Sequence, residues 1–373
     1  MFKDVLCQTL TEHEVQFPSE DIMTSASRIL AGIPTLRQAK NLCSRIIAKN
    51  KQFGKNEIQE LYAMMREKMM ESYNEVLTPV HIDVDEVQLG GLDLLKKWIN
   101  QRKLLYSPDA KEYGLHPPKG VVLCGPPGTG KSVCAKYIAY LLDRPLILFN
   151  VELAFKRHVG ESEELLKKIF DYLDSLGEVV VLLDEIEKNL GETYNTHEST
   201  RRMMAGFLTW QGNRNSKVFV VAASNSLSAI PPEFTRAGRF DKIYYIDLPG
   251  VEERVEILRL HLKMRNHGDD FGEKDLRFFA ENTGGFSGAE LEAVVKDALL
   301  ASYLRDKHLT AADMMSAIKN TKPLSLSRQE DIRQQRMMAK ELASPASSCS
   351  YESEVNSAKI VGDVDEEVDR CYV

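Results

Sequence analysis

The chain has 373 residues, 43% of them hydrophobic and 28% charged, with a formal net charge of −7, a length and composition that suit two or three compact globular units. No apolar run approaches the roughly 20 residues of a membrane span, and the first twenty residues lack a charged start followed by a signal-like apolar core, so an intracellular, membrane-free protein is expected. From Glu341 onward eight acids face only Lys359 and Arg370, a net of −6, which leaves the remainder near neutral and offers no general footprint for nucleic acid as the main partner.

In chain order, residues 1–82 read as a helical N-terminal region with a partner-binding or docking role. Ser19-Glu20-Asp21 starts a helix through Ile29 and Leu30, and Gly32-Ile33-Pro34 interrupts it. Helical spacing resumes over Leu36 to Ala48 and again from about Glu57, where Ile58, Leu61, Met64, Met65 and Met69 share one side. That methionine stripe reads as core or as a surface docked on a neighbouring unit, because Met fills packing gaps.

Residues 83–249 alternate short β-rich runs with helical stretches. Val121 to Cys124, Leu146 to Asn150, Val179 to Leu183, Val218 to Ala222 and Ile243 to Ile246 are nearly continuous apolar strands, the signature of a parallel sheet covered by helices on both faces. The expected fold class is therefore α/β. Residues 250–323 return to helical patterning, over Val251 to His261, Lys274 to Glu281, Gly288 to Leu304 and Ala311 to Lys319, and predict a small all-helical unit. Residues 324–373 are rich in Ser and acid, with too little apolar content to fold alone, and predict a disordered tail. The six cysteines lack CxxC spacing, so neither disulfides nor zinc is expected, and Cys124 and Cys134 read as small buried thiols.

Chemistry concentrates at strand ends. Gly125-Pro126-Pro127-Gly128-Thr129-Gly130-Lys131-Ser132 follows the first apolar strand and opens a helix-compatible stretch beginning with Val133. Glycines let backbone N–H groups curl around phosphate oxygens, the following helix adds the positive end of its dipole, Lys131 neutralises β- and γ-phosphate charge, and the Ser132 hydroxyl suits Mg²⁺. The strand Val179 to Leu183 ends in Asp184-Glu185, a pair that invites division of labour: Asp184 for Mg²⁺, Glu185 to polarise an attacking water. Val218 to Ser224 ends in Asn225, whose amide is suited to help place that water. Arg236 and Arg239 follow in a Gly-containing loop, and such guanidinia can stabilise transition-state charge on a neighbouring subunit's nucleotide.

These segments in this order, GPPGTGKS, VVVLLDEIEK, AASN, PPEFTRAGRFD and finally TGGFSGAEL, resemble the AAA family of P-loop ATPases over about residues 87–319. Asp184-Glu185-Ile186-Glu187-Lys188, Phe207-Leu208-Thr209-Trp210 and Phe240-Asp241-Lys242-Ile243 are similar to the small single-ring members conserved in cyanobacteria and chloroplast genomes. The resemblance implies a P-loop core at 83–249, a helical lid at 250–323, ATP and Mg²⁺ as cofactors, and a ring, usually a hexamer, with nucleotide between subunits. Pro127, Gly128, Thr129, Gly130, Lys131, Ser132, Val133 and Asp184 would then hold phosphate and Mg²⁺, Glu185 would be the catalytic acid, Asn225 a sensor, and Arg236 and Arg239 fingers acting in trans. Gly90 falls where the backbone cradles adenine, and Gly288 and Ala289 where the lid closes over it.

In threading members of the family an aromatic residue two before a glycine grips substrate in the pore, whereas His158 followed by Val159 stands there in this chain, beside Lys156 and Arg157. Imidazole grips less apolar surface than Phe or Trp. The expected function is ATP-driven, chaperone-like remodelling of a protein partner in the cytoplasm, or in the plastid stroma if the chain is plastid-encoded. The alternative is a nucleotide-controlled regulatory or scaffolding ATPase without threading.

Overall fold

The structure is a computed structural model that describes residues 2–33, 35–73, 75–82, 87–155, 161–190, 198–214, 216–236, 238–305 and 308–349. Its centre is a seven-stranded sheet: β1 (Leu77–Val80), β2 (Gly120–Cys124), β3 (Leu146–Phe149), β4 (Val180–Leu183), β5 (Phe219–Ser224), β6 (Lys242–Tyr245) and β7 (Ser344–Pro345), in the order β1-β3-β4-β5-β2-β6-β7. All pairings are parallel except β1 with β3.

The strands read as unbroken apolar runs because both faces are covered. Val122, Cys124, Val181, Leu183, Val220 and Ala222 join one core, while their alternate neighbours Val121, Leu123, Val180, Leu182, Val221 and Ala223 join the other, as the two-residue period of a strand requires. Helices Glu161–Leu176 and Glu198–Asn213 cover the first face; Asp93–Lys103 and Lys131–Leu141 cover the second.

Four helices, α1 (Phe2–Glu12), α2 (Glu20–Ala31), α3 (Leu36–Asn50) and α4 (Lys55–Tyr73), enclose a separate N-terminal core. The methionine stripe is packing: Met65 is buried in that bundle and Met69, one turn on, in the core of the sheet. Ser19 sits at the cap of α2 but makes no side-chain cap bond, whereas the Thr35 hydroxyl accepts from Gln38 N to cap α3. Bundle and sheet are tied by the Arg28–Asp143 ion pair at 2.6 Å, by Tyr172 donating to the Gly32 carbonyl at 2.9 Å and by Tyr62 donating to that of Pro79 at 2.6 Å. Helices Val251–Lys263, Glu273–Glu281, Gly288–Arg305 and Ala311–Asn320 form the small helical unit around Leu258, Phe279, Val294 and Met314.

The expectation of a disordered tail from residue 324 is corrected over residues 324–349. Helix Gln329–Leu342 buries Ile332, Gln335 and Ala339, and Ser344–Pro345 extends the sheet beside β6. The segment has no core of its own and borrows one: Ala339 joins one face of the sheet and Ala346 the other, and the Arg336 guanidinium grips Asp247 through bonds of 2.9 to 3.1 Å. The acidic stretch 351–373 lies outside the described residues. β1 is a further strand beyond the five expected. Its Leu-Thr-Pro-Val pattern is broken by Pro79, which an edge strand tolerates.

Candidate nucleotide site

Three adjacent strands, β4, β5 and β2, deliver their C-terminal ends to one cleft. Beyond β2 the chain turns through the glycine loop into helix Lys131–Leu141, whose N-terminal amides face the same side. Gly128 adopts φ +77°, and a Cβ there would lie 2.9 Å from Ser287 Oγ, so the loop needs glycine both for its conformation and for contact with the helical unit.

Lys131 is buried, and its ammonium donates to the Gly125 and Pro126 carbonyls at 2.8 Å each. Burial pushes its pKa down to about 8, against the opposing pull of the Glu187 carboxylate. Ser132 Oγ donates to Asp184 Oδ2 at 2.7 Å, joining two groups 52 residues apart. Glu185, with φ +49°, stands half-exposed and pairs with Lys188 at 2.5 Å. Asn225 reaches the cleft too, but its Nδ2 donates to Glu187 Oε1 at 2.7 Å.

The other wall is apolar and comes from helix Val251–Lys263 and its end: Ile257, Leu260, His261 and Met264. Burial lowers the His261 pKa, which favours the neutral ring. Gly90 packs against this helix so closely that a Cβ would sit 2.8 Å from Ile257 Cγ1. The loop is stapled there, with Gly91 N donating to Glu256 at 2.6 Å and Leu92 N to the buried Glu253 at 2.9 Å. Gly288 and Ala289 close the cleft from the helical unit, where Ala289 N donates to the Gly128 carbonyl at 3.0 Å.

Gly90, Pro127, Gly128, Thr129, Gly130, Lys131, Ser132, Val133, Asp184, Glu185, Asn225, Gly288 and Ala289 therefore line one cleft. Arg236 and Arg239 do not. Arg236 is exposed, and Arg239 donates to the Glu233 carbonyl at 2.8 Å. Their loop is held from behind: Gln211 Nε2 donates to the Arg239 carbonyl at 2.9 Å, Lys119 Nζ to that of Gly238 at 2.9 Å, and Asp241 accepts from Lys119 N and Gly120 N at 2.7 Å each. His158 and Val159 lie outside the described residues.

Sequence reasoning missed the apolar wall, whose residues carry the helical spacing of any core-facing helix. It also missed Gln211, a fully buried amide in what reads as an ordinary helix end, and the contact between Asn225 and Glu187, for which spacing carries no signal.

Residues 121–248 match the model of the ATPase family associated with various cellular activities (AAA). Two similar proteins are the uncharacterized AAA domain-containing proteins ycf46 of Guillardia theta, 30% identical over 335 residues (89% of this chain, 64% of that protein), and of Trieres chinensis, 32% identical over 306 residues (82% and 61%). The chain thus spans less than two thirds of the length of these relatives. A cell division cycle protein 48 homolog of Archaeoglobus fulgidus is 32% identical over 269 residues, covering 65% of this chain and 36% of that protein. Among solved structures, the FIGL-1 AAA domain superposes with a TM-score of 0.60 at 25% identity, over 74% of this chain and 95% of that one. Residues 121–248 thus match a domain of the AAA family of ATPases, and over most of its length the chain is similar to proteins that carry one.

Proposed function

We propose that the chain binds Mg·ATP in this cleft, hydrolyses it, and does so as a hexameric ring that remodels a protein partner. The observation that carries the reading is the 2.7 Å contact of Ser132 with Asp184 beside the buried Lys131, which brings hydroxyl, carboxylate and ammonium to one helix N-terminus. Oxygen donors few in number suit Mg²⁺, which keeps waters and shares phosphate oxygens. Bound there by Ser132 and Asp184, the ion would neutralise phosphate charge.

In this reading Lys131 and the loop amides orient the triphosphate, the apolar wall with Gly90, Gly288 and Ala289 takes the base, Glu185 polarises water, and Asn225 helps to place it. Arg236 and Arg239 serve the neighbour's nucleotide, since neither lines the cleft of its own chain. Residues 1–82 act as the docking region, 83–249 as the ATPase unit and 250–323 as its lid. No described helix is long and apolar enough to cross a membrane, and a protein rather than a membrane or nucleic acid is the partner we infer.

Glu185→Gln tests this. The variant should retain ATP and lose turnover by roughly 100- to 1,000-fold, the usual consequence of removing a positioned base, and should sediment with ATP as a stable ring. A variant that turns over at the rate of the unaltered protein, or that stays monomeric under saturating Mg·ATP, overturns the reading.

A further inference from the structure

Glu187 lies three residues beyond Asp184, on the short helix Ile186–Leu190, and its two carboxylate oxygens have different surroundings. Oε1 accepts the amide hydrogen of Asn225 at 2.7 Å. Oε2 is buried and has no hydrogen-bond partner among the described residues. Leaving such an oxygen unsatisfied costs stability, so a residue that served packing alone would be better replaced by an uncharged one.

An ionised carboxylate only accepts hydrogen bonds, whereas an amide has a donor end and an acceptor end. Glu187 therefore fixes the sense of the Asn225 amide: the nitrogen turns toward the carboxylate, and the carbonyl oxygen is left as the free acceptor of a side chain that lines the cleft. A water attacking phosphorus needs its protons accepted, and a phosphate oxygen needs the opposite, a donor.

We propose that Glu187 is a positioning residue for hydrolysis, which locks the amide of Asn225 so that its carbonyl oxygen helps to orient the attacking water. This inference rests on the ATP-hydrolysis reading. Glu187→Gln keeps the shape but can donate as well as accept, so it no longer dictates which way the Asn225 amide faces.

The test measures kcat and ATP affinity in the full chain for Glu187→Gln, Asn225→Ala, Asn225→Asp and the doubles. At pH 6.5, where Lys131 is charged, Glu187→Gln should lower kcat roughly 10-fold and change affinity by less than about two-fold, the split expected when only transition-state positioning is lost. Added to Asn225→Ala it should cost nothing further, because both act through one amide. Asn225→Asp sets two carboxylates against each other, and combining it with Glu187→Gln, which can donate to the new acid, should recover at least several-fold in kcat. Normal turnover by Glu187→Gln, losses that multiply in the Asn225→Ala double, or no recovery in the swapped pair overturns the role of Glu187 while ATP hydrolysis stands. An unaltered protein without turnover overturns both.

Discussion

The cleft and the arginine loop lie in the same ATPase unit but are finished to different degrees. In the cleft, groups from three strand ends and the helical unit meet within hydrogen-bond distance: Ser132 with Asp184, Ala289 with Gly128, Asn225 with Glu187. The arginine loop is equally well fastened on its inner side, through Gln211, Lys119 and Asp241, yet Arg236 projects to the surface. The cleft is thus built from one chain's own groups, while the Arg236 guanidinium is exposed and lies outside it. Under the proposed function the contrast separates binding, as a property of one chain, from turnover, as a property of an assembly.

The most severe way to break this contrast is to remove the outward charge. Arg236→Ala or Arg239→Ala should lower turnover roughly 1,000-fold, the low end for guanidinia that meet transition-state charge, with ATP affinity retained. Mixing either variant with Lys131→Ala subunits should restore part of the activity, because each supplies what its neighbour lacks; rates that stay at background in every ratio would refute action between subunits.

A second, smaller effect concerns the wall of the cleft. Asp247 lines it and is held by Arg336 from the C-terminal helix, with side-chain exposures of 9% and 17%. Arg336→Ala removes the guanidinium that grips that carboxylate and should destabilise the chain by on the order of 3 kcal/mol, seen in denaturant unfolding. A change under about 0.5 kcal/mol would show that the segment merely lies against the sheet.

The smallest effect sharpens the binding half. With its pKa pushed down to about 8, Lys131 is largely neutral at pH 9, and phosphate oxygens would recharge it. Binding at pH 9 should therefore take up close to one proton, and affinity should fall as pH rises through 8; at pH 6.5 Lys131 is already charged and contributes no uptake. The same depression makes folding stability rise with pH between about 8 and the ordinary lysine value, because there the unfolded chain binds more protons. Calorimetry in two buffers of different ionisation heat measures the uptake, and equal heats at pH 9 would exclude it.

Much of the cleft was legible because its chemistry sits in short, contiguous runs. GPPGTGKS needs its glycines for backbone shape and its lysine for charge, and β2, β4 and β5 announce themselves as apolar stretches, β2 running into that loop, β4 into Asp184 and β5 into Asn225. What escaped reading depends on contacts between distant residues. Helix Gln329–Leu342 has too few apolar residues to form a core, but needs only Ile332 and Ala339 once a sheet is there to receive them. Glu187 was visible as a letter in DEIEK, and its bond to Asn225, 38 positions away, was not.

The returning segment also sets a timetable. Tyr245 pairs with Pro345, so the border of the sheet at β6 stays open while the intervening stretch is being translated, for roughly 5–20 s at ordinary ribosomal speeds. Throughout that interval its unpaired backbone groups form a template for any extended peptide nearby. A newborn chain must be shielded from its siblings until its own closing strand emerges, and crowded polysomes would be the place where protection fails first.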